Sequence, residues 1–455
     1  MKTTKNRHLT SWALAAGAAA LVLAFASSAG AQARIDGIEG YTTFNFAAGE
    51  GEVSIADGGS YEFWGYEDLN LREGVGLPQY PGPTIIVNQG DTVTINLTNQ
   101  MHASSGCTSM VFPGHAVTAT GGTPGLLTQE SCGTAPAQVV TYTFTATEPG
   151  TYMYYSGTKP ELQVEMGLFG ALIVRPTGIG FGDGYAYNDD RSQYDHEYLF
   201  LLSSMDPYIH QLAEQHRFAE IDNTERFPTY WFINGRTAPD ILANNYVAWL
   251  PHQPYNSTPR MTPGQRVLVR IIGGDQDQHP LHLHGNHYYE IARYGRMLLT
   301  DPTVPTSALA SRAKFTTLSV PGQTVDAIFT WTGEKLGWDI YGTPADGAPA
   351  HTCNGLDTPS AGYDPETNEY CPDHGKPFPV TLPENQNLAF GGWFSGSPFL
   401  GTGEGLPPGE GGLNPNNGFF FMWHSHTEKE LTNFDIFPGG MLSMMVVEPP
   451  GTPIP

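Results

Sequence analysis

Three scarcities bound this chain before any motif is read. Of 455 residues only 21 are Lys or Arg, against 45 Asp or Glu, for a formal charge of −24. A nucleic-acid partner or an anionic membrane surface would be repelled by that excess. Beyond the first 33 residues no apolar run approaches the roughly 20 residues that span a bilayer, so no membrane span is expected. Cysteine is scarce too, with four in all. They fall as Cys107 with Cys132 and Cys353 with Cys371, each pair local and remote from the other. In an oxidising compartment two local disulfides are the default. The alternative, cysteines as metal ligands, calls for Cys-x-x-Cys spacing or a Cys beside His motifs, and neither occurs.

What is plentiful points to an all-β chain. Gly (54) and Pro (37) supply turns, while 40% hydrophobic and 12% aromatic residues supply cores. Residues 1–33 read as a secretory signal: Lys2, Lys5 and Arg7 precede the apolar run Trp12 to Phe25 and the small-residue site Ala31-Gln32-Ala33. Export to the periplasm or the extracellular space is the expected location.

From residue 34 to 178, short β-rich runs alternate with turns, among them Thr84 to Val87, Thr92 to Leu97, Val139 to Phe144, Gly150 to Tyr155 and Gly170 to Val174. A second set fills 229–450, from Tyr230 through Arg266 to Ile272, Leu281 to Tyr289, Thr324 to Trp331, Phe419 to Trp423 and Met441 to Val447. Two tandem Greek-key β-sandwich domains account for both sets. Residues 179–228 read as a linker ending in a strand, with a short helix over Pro207 to Glu214. A Gly/Pro-rich insertion, 343–418, contains Cys353 and Cys371 and is expected to be stapled by them.

Histidine carries the functional signal. Six of fifteen lie in Gln278-His279-Pro280-Leu281-His282-Leu283-His284-Gly285-Asn286-His287 and Trp423-His424-Ser425-His426. Strand alternation puts His282 with His284 on one face, and His424 with His426 on one face. Two adjacent strands would aim four imidazoles at one point, a donor set suited to copper, zinc, iron or nickel. The competing reading makes them hydrogen-bonded core residues or an exposed polar face.

The stretch His279-Pro280-Leu281-His282-Leu283-His284-Gly285, with His424-Ser425-His426 and Gly440-Met441, resembles the last cupredoxin domain of a multicopper oxidase. Tyr80-Pro81-Gly82-Pro83-Thr84-Ile85, Gly150-Thr151-Tyr152 and Gly167 to Val174 are similar to the family's first domain, and Phe232-Ile233-Asn234-Gly235-Arg236 to the start of its last. The likeness runs from about residue 37 to 450. It implies two cupredoxin-like domains, copper as cofactor, a small-molecule substrate and, as in two-domain relatives, a homo-oligomer, a trimer by resemblance.

The departures are as informative. The family's type 1 copper uses His, Cys, His and a soft axial ligand, but Ser425 stands at the Cys position and Glu430 at the later His. By resemblance His279 and Met441 would be its orphaned remainder, and His279 is the least secure metal ligand. A hydroxyl is harder than a thiolate and stays protonated near neutral pH. The first domain's His pairs align with Val111-Phe112-Pro113-Gly114 and Tyr155-Ser156-Gly157. His102 and His115 lie nearby, and Tyr154 and Tyr155 sit where imidazoles are missing. The expected function is an exported copper-binding protein of the multicopper-oxidase type without a type 1 electron-input site, with a copper oxidoreductase that reacts directly with substrate as its first rival. The alternatives are a copper carrier or buffer, or a metal-stapled surface or assembly protein.

Overall fold

The computed structural model describes residues 33–72, 76–133, 138–334, 337–346, 350–353, 362–364, 367, 369–377, 419–448 and 452–454. The expected leader lies outside them apart from Ala33, as does most of the 343–418 insertion. No helix among the described residues is long and apolar enough to cross a membrane.

The chain folds as two β-sandwiches. The first stacks a four-stranded sheet, in the order Ile38–Glu39, Gly82–Asn88, Phe169–Arg175, Gly150–Tyr155, on a five-stranded one. That second sheet runs Ser60–Asp68, Thr43–Ser54, Thr92–Asn99, Val140–Thr145, Thr118–Gly121. Alternation is visible in Thr92–Asn99, where Val93, Ile95 and Leu97 are buried and the residues between them are not. These three pack with Phe44, Phe46, Ile85, Tyr142, Phe144 and Leu172 into one core. Cys107 and Cys132 are bonded in this half, Cys353 and Cys371 in the other.

The second sandwich pairs a seven-stranded sheet with a five-stranded one. The first follows Tyr230–Ile233, His196–Met205, Arg266–Gly273, Thr324–Thr330, Tyr288–Arg293, Arg296–Met297, with Ala313–Lys314 beside Tyr288–Arg293. The second is ordered Arg260–Met261, Leu442–Val447, Phe419–Ser425, His279–Leu283, Thr316–Ser319. Val267, Val269, Ile271, Leu281, Leu283, Phe329, Phe421 and Trp423 fill the space between them.

Two details depart from the sequence reading. The stretch 179–228 holds, besides the helix Pro207–Glu214, the ten-residue strand His196–Met205, which lies inside the larger sheet. Eight of its ten residues are apolar or hydroxylic, so burial on both faces is affordable. The run Leu281 to Tyr289 is also two strands, not one. Gly285, at φ +66°, turns the chain out of His279–Leu283 and delivers Tyr288–Arg293 to the opposite sheet.

That central strand binds the sandwiches together. Glu197, fully buried, contacts Arg175 of the first sandwich and, at 3.1 Å, Arg270 of the second. Arg270 also donates to Thr151 of the first sandwich at 2.9 Å, and Thr151 to Asp326 of the second at 2.5 Å. Burial alone would push the Glu197 carboxyl up, but the two guanidinium groups hold it down at about 2. Breaking a buried pair leaves an uncompensated charge, at a cost of about 3–5 kcal/mol. Glu197→Gln, which removes the nearest carboxylate from two buried arginines and leaves each only a partner at 3.7 Å, is expected to lower unfolding stability by about that amount in a urea titration at pH 7. A loss under about 1 kcal/mol would show the cluster to be hydrated.

Candidate metal centre

The site is built by the pairing of His279–Leu283 with Phe419–Ser425. The two strands are antiparallel, with His282 opposite His424, Leu281 opposite Ser425 and Leu283 opposite Trp423. The ladder continues past the strand ends, where His284 N–H donates to Met422 O at 3.0 Å and His426 N–H to Pro280 O at 2.7 Å. Leu281, Leu283, Trp423 and Ser425 are fully buried, so the intervening histidines face away from the core. His284 then lies diagonal to His424, and His426 diagonal to His282, within reach of ring contact. Ring centroids are 4.7 and 4.8 Å apart for these pairs, 5.1 Å for His282 with His284 and 5.6 Å for His282 with His424. Four imidazole rings thus lie side by side on the outer face of this strand pair. His287, by contrast, is exposed and rests on Phe315.

Each of three rings is held by its Nδ1. His424 Nδ1 donates to Ser425 O at 2.6 Å, His426 Nδ1 lies 2.8 Å from the Glu428 carboxylate, and His282 Nδ1 shares a 2.7 Å hydrogen bond with Thr316. In a neutral imidazole a donating Nδ1 leaves Nε2 as the lone-pair atom. His424 Nε2 meets His284 Nε2 at 2.6 Å, which places one proton between two nitrogens, the proton a metal ion would displace. Burial, then the neighbouring His284 and His426, lower His282 to about 4. His424 is lowered to about 4 chiefly by burial. All four donors are imidazole nitrogens with no thiolate or carboxylate among them, a set that fits copper. His426 is half exposed and the face opens to solvent.

His279 stands apart. It points to the core side of the same strand, fully buried, with Nδ1 2.9 Å from Glu430 and Nε2 3.1 Å from Asp275. Ser425, facing the same way, donates to Glu430 at 2.5 Å, and Met441 is buried beside them, its N–H on Glu430 O. Both ring nitrogens of His279 are thus committed to carboxylates, which is why it does not join the four. Burial alone would lower its pKa, but Asp275 and Glu430 raise it to about 10. Asp275, four residues before His279, and Thr316 and Glu428, which orient the outer rings, are absent from the sequence reading. Asp275 and Glu428 left a trace there, as acids four and two residues from a histidine.

In the first sandwich Val111 and Tyr155 form a two-hydrogen-bond bridge, so the two stretches aligned with the family's first-domain histidines are neighbours. Tyr154 is core, its hydroxyl on Pro83 O. His115 packs between Phe144 and Tyr152, and burial lowers it to about 4. His102 stacks on His216 at 4.1 Å. Among the described residues neither makes a ring contact with the four.

Comparison with known proteins agrees with this architecture. Residues 76–178 match the family described as multicopper oxidase. A stretch of 120 residues, 26% of this chain, is 36% identical to an L-ascorbate oxidase of Cucurbita maxima, covering 19% of that protein. A stretch of 194 residues, 43% of the chain, is 40% identical to an iron transport multicopper oxidase of Epichloe festucae, covering 26% of it. The matched stretches thus span about a fifth to a quarter of these relatives. In fold, the chain is similar to the multicopper oxidase mgLAC, with TM-score 0.52, 16% identity, and 91% and 87% of the two chains covered. It is also similar to a blue copper oxidase from Nitrosomonas europaea, with TM-score 0.50, 16% identity, and 89% and 85% covered. Residues 76–178 thus resemble a multicopper oxidase domain, and the two sandwiches are cupredoxin-like in fold.

The His279 state sets a pH test. Its pKa is raised above the ordinary 6.5, so the stability it confers is full below 6.5 and is lost as pH rises through about 10. The stability gap between the wild type and His279→Gln is expected to be largest near pH 6 and to close by pH 10.5, read by urea unfolding across that range. A gap independent of pH would mean the imidazole is neutral.

Proposed function

We propose that this is an exported copper protein that holds copper on the Nε2 atoms of His282, His284, His424 and His426 and works as a copper oxidoreductase lacking a thiolate electron-input centre. The observation that supports the reading is the anchoring of Nδ1 by Ser425 O, Glu428 and Thr316, which leaves Nε2 as the free donor atom of three neighbouring rings. Copper bound there would exchange single electrons with a substrate, the chemistry imidazole ligation suits. The chain's own contribution is to favour the neutral form of His282 and His424, to fix three rings by carbonyl, hydroxyl and carboxylate partners, and to leave the face open to solvent on one side. Ser425 hydrogen-bonded to Glu430 supports the absence of a copper–thiolate bond, and both disulfides leave no free thiol to replace it. The same disulfides support export. A homo-oligomer whose neighbouring copy covers the open imidazole face belongs to this reading.

The carrier or buffer reading rests on the half exposure of His426, which gives an incoming ligand direct access to the metal. Oxygen consumption by the copper-loaded protein with phenols, reduced metal ions or nitrogen oxides separates the two. Turnover that His284→Ala/His426→Ala abolishes supports the enzyme; stoichiometric copper transfer to a chelator without turnover supports the carrier.

The copper-loaded protein is expected to show no intense thiolate-to-copper band and no narrow-hyperfine type 1 signal in electron paramagnetic resonance. His284→Ala/His426→Ala should abolish tight copper binding and lower the holo melting temperature, while His287→Ala changes neither. Unchanged copper stoichiometry and affinity in the double variant would return the four residues to a polar face of the sheet.

A further inference from the structure

A second group of potential ligands lies well away in sequence from the four histidines, in the disulfide-bonded part of the second sandwich. Asp339, His351, Glu369 and His374 each offer one donor atom, all within 4.8 Å of one another. The two carboxylate side chains are 1% exposed, the two imidazoles 19% and 17%. The separations are informative. His351 Nε2 lies 3.4 Å from Asp339 and 3.3 Å from Glu369, and His374 Nδ1 lies 3.4 Å from Asp339 and 2.9 Å from Glu369. Three of the four exceed an ordinary hydrogen bond between such groups, which is about 2.7–2.9 Å. Donors at about 2.0–2.1 Å from a tetrahedral zinc ion are separated by about 3.3–3.4 Å.

The surroundings fix these donors. Asp339 accepts backbone N–H groups from Tyr341 and Gly375, each at 2.9 Å, one on each carboxylate oxygen. The Cys353–Cys371 bond joins the segment carrying His351 to the one carrying Glu369 and His374, with the half-cystines two or three residues from each ligand. Trp338 and Ile340, flanking Asp339, are buried in the core of the second sandwich. Two carboxylates buried against each other repel, and a dication between them offsets that repulsion.

We propose that Asp339, His351, Glu369 and His374 form a closed four-coordinate site for a divalent cation of the zinc type, which clamps the disulfide-bonded lobe to the second sandwich. Two nitrogens and two oxygens with no thiolate are a borderline-to-hard set that zinc accepts in tetrahedral geometry. All four positions are taken by protein, so the role is structural.

The test uses the full chain carrying His284→Ala/His426→Ala as parent, stripped with chelator and titrated with zinc chloride. The expected result is one tightly bound equivalent and a higher melting temperature, both lost when His351→Ala/His374→Ala is added. Cobalt chloride should give the parent a visible absorption of four-coordinate intensity. Glu369→Gln, which keeps the side-chain shape, should weaken zinc binding at least about tenfold while leaving the disulfide intact by peptide mapping. A parent that binds no zinc, a six-coordinate cobalt spectrum, Glu369→Gln affinity equal to the parent's, or an equivalent retained without His351 and His374 would each overturn the assignment.

Discussion

The histidine face of the second sandwich depends on one register, His282 opposite His424. Side chains on a strand alternate with period two, so a slip of one residue would turn the four imidazoles into the core and Leu281, Leu283 and Trp423 out to water. The hydrophobic core therefore enforces the position of the histidines without touching them. The same register fixes the inner face, where His279 and Ser425 point into the sandwich and meet Glu430. One pair of strands thus displays neutral nitrogen donors on one side and a charged hydrogen-bonded chain on the other.

The contrast between the faces follows from their partners. On the outer side, burial and mutual repulsion among imidazoles favour the neutral form, and the Nδ1 contacts select where the lone pair lies. On the inner side, Asp275 and Glu430 flank a fully buried imidazole, and the cation they favour satisfies both carboxylates at once. His279 and His282, three positions apart, are pushed in opposite directions because His279 lies between two carboxylates while His282 is desolvated among imidazoles.

The sequence announced the parts of this arrangement that are periodic and local. His-x-His repeats, alternating apolar positions and the two short Cys spacings lead directly to the outer cluster, the strands and the disulfides. What it hid is contact between segments far apart in the chain. Thr316 reaches His282 only because Thr316–Ser319 pairs with His279–Leu283. Glu430 reaches His279 across 151 positions. The place of the strand His196–Met205 inside the larger sheet was hidden because nothing local in an entry strand names the strands it pairs with. The break at Gly285 did leave a local sign, since Gly285-Asn286 is a turn pair within the apolar run Leu281 to Tyr289.

The charge cluster between the sandwiches has a bearing on how this chain can be divided. Glu197 sits on a strand of the second sandwich, yet one of its two guanidinium partners, Arg175, closes the last strand of the first. A cut anywhere in the intervening stretch yields a first half whose Arg175 keeps only Glu39, at 3.7 Å, as a carboxylate partner, and a second half with a carboxylate and an arginine newly open to solvent. The apolar residues around them, Met153, Phe169 and Ile173 on one side and Leu199, Leu201 and Ile272 on the other, would be uncovered together. The halves are therefore mutually dependent modules, and recombining either with a foreign partner requires that partner to bring both the matching charge and the matching apolar surface.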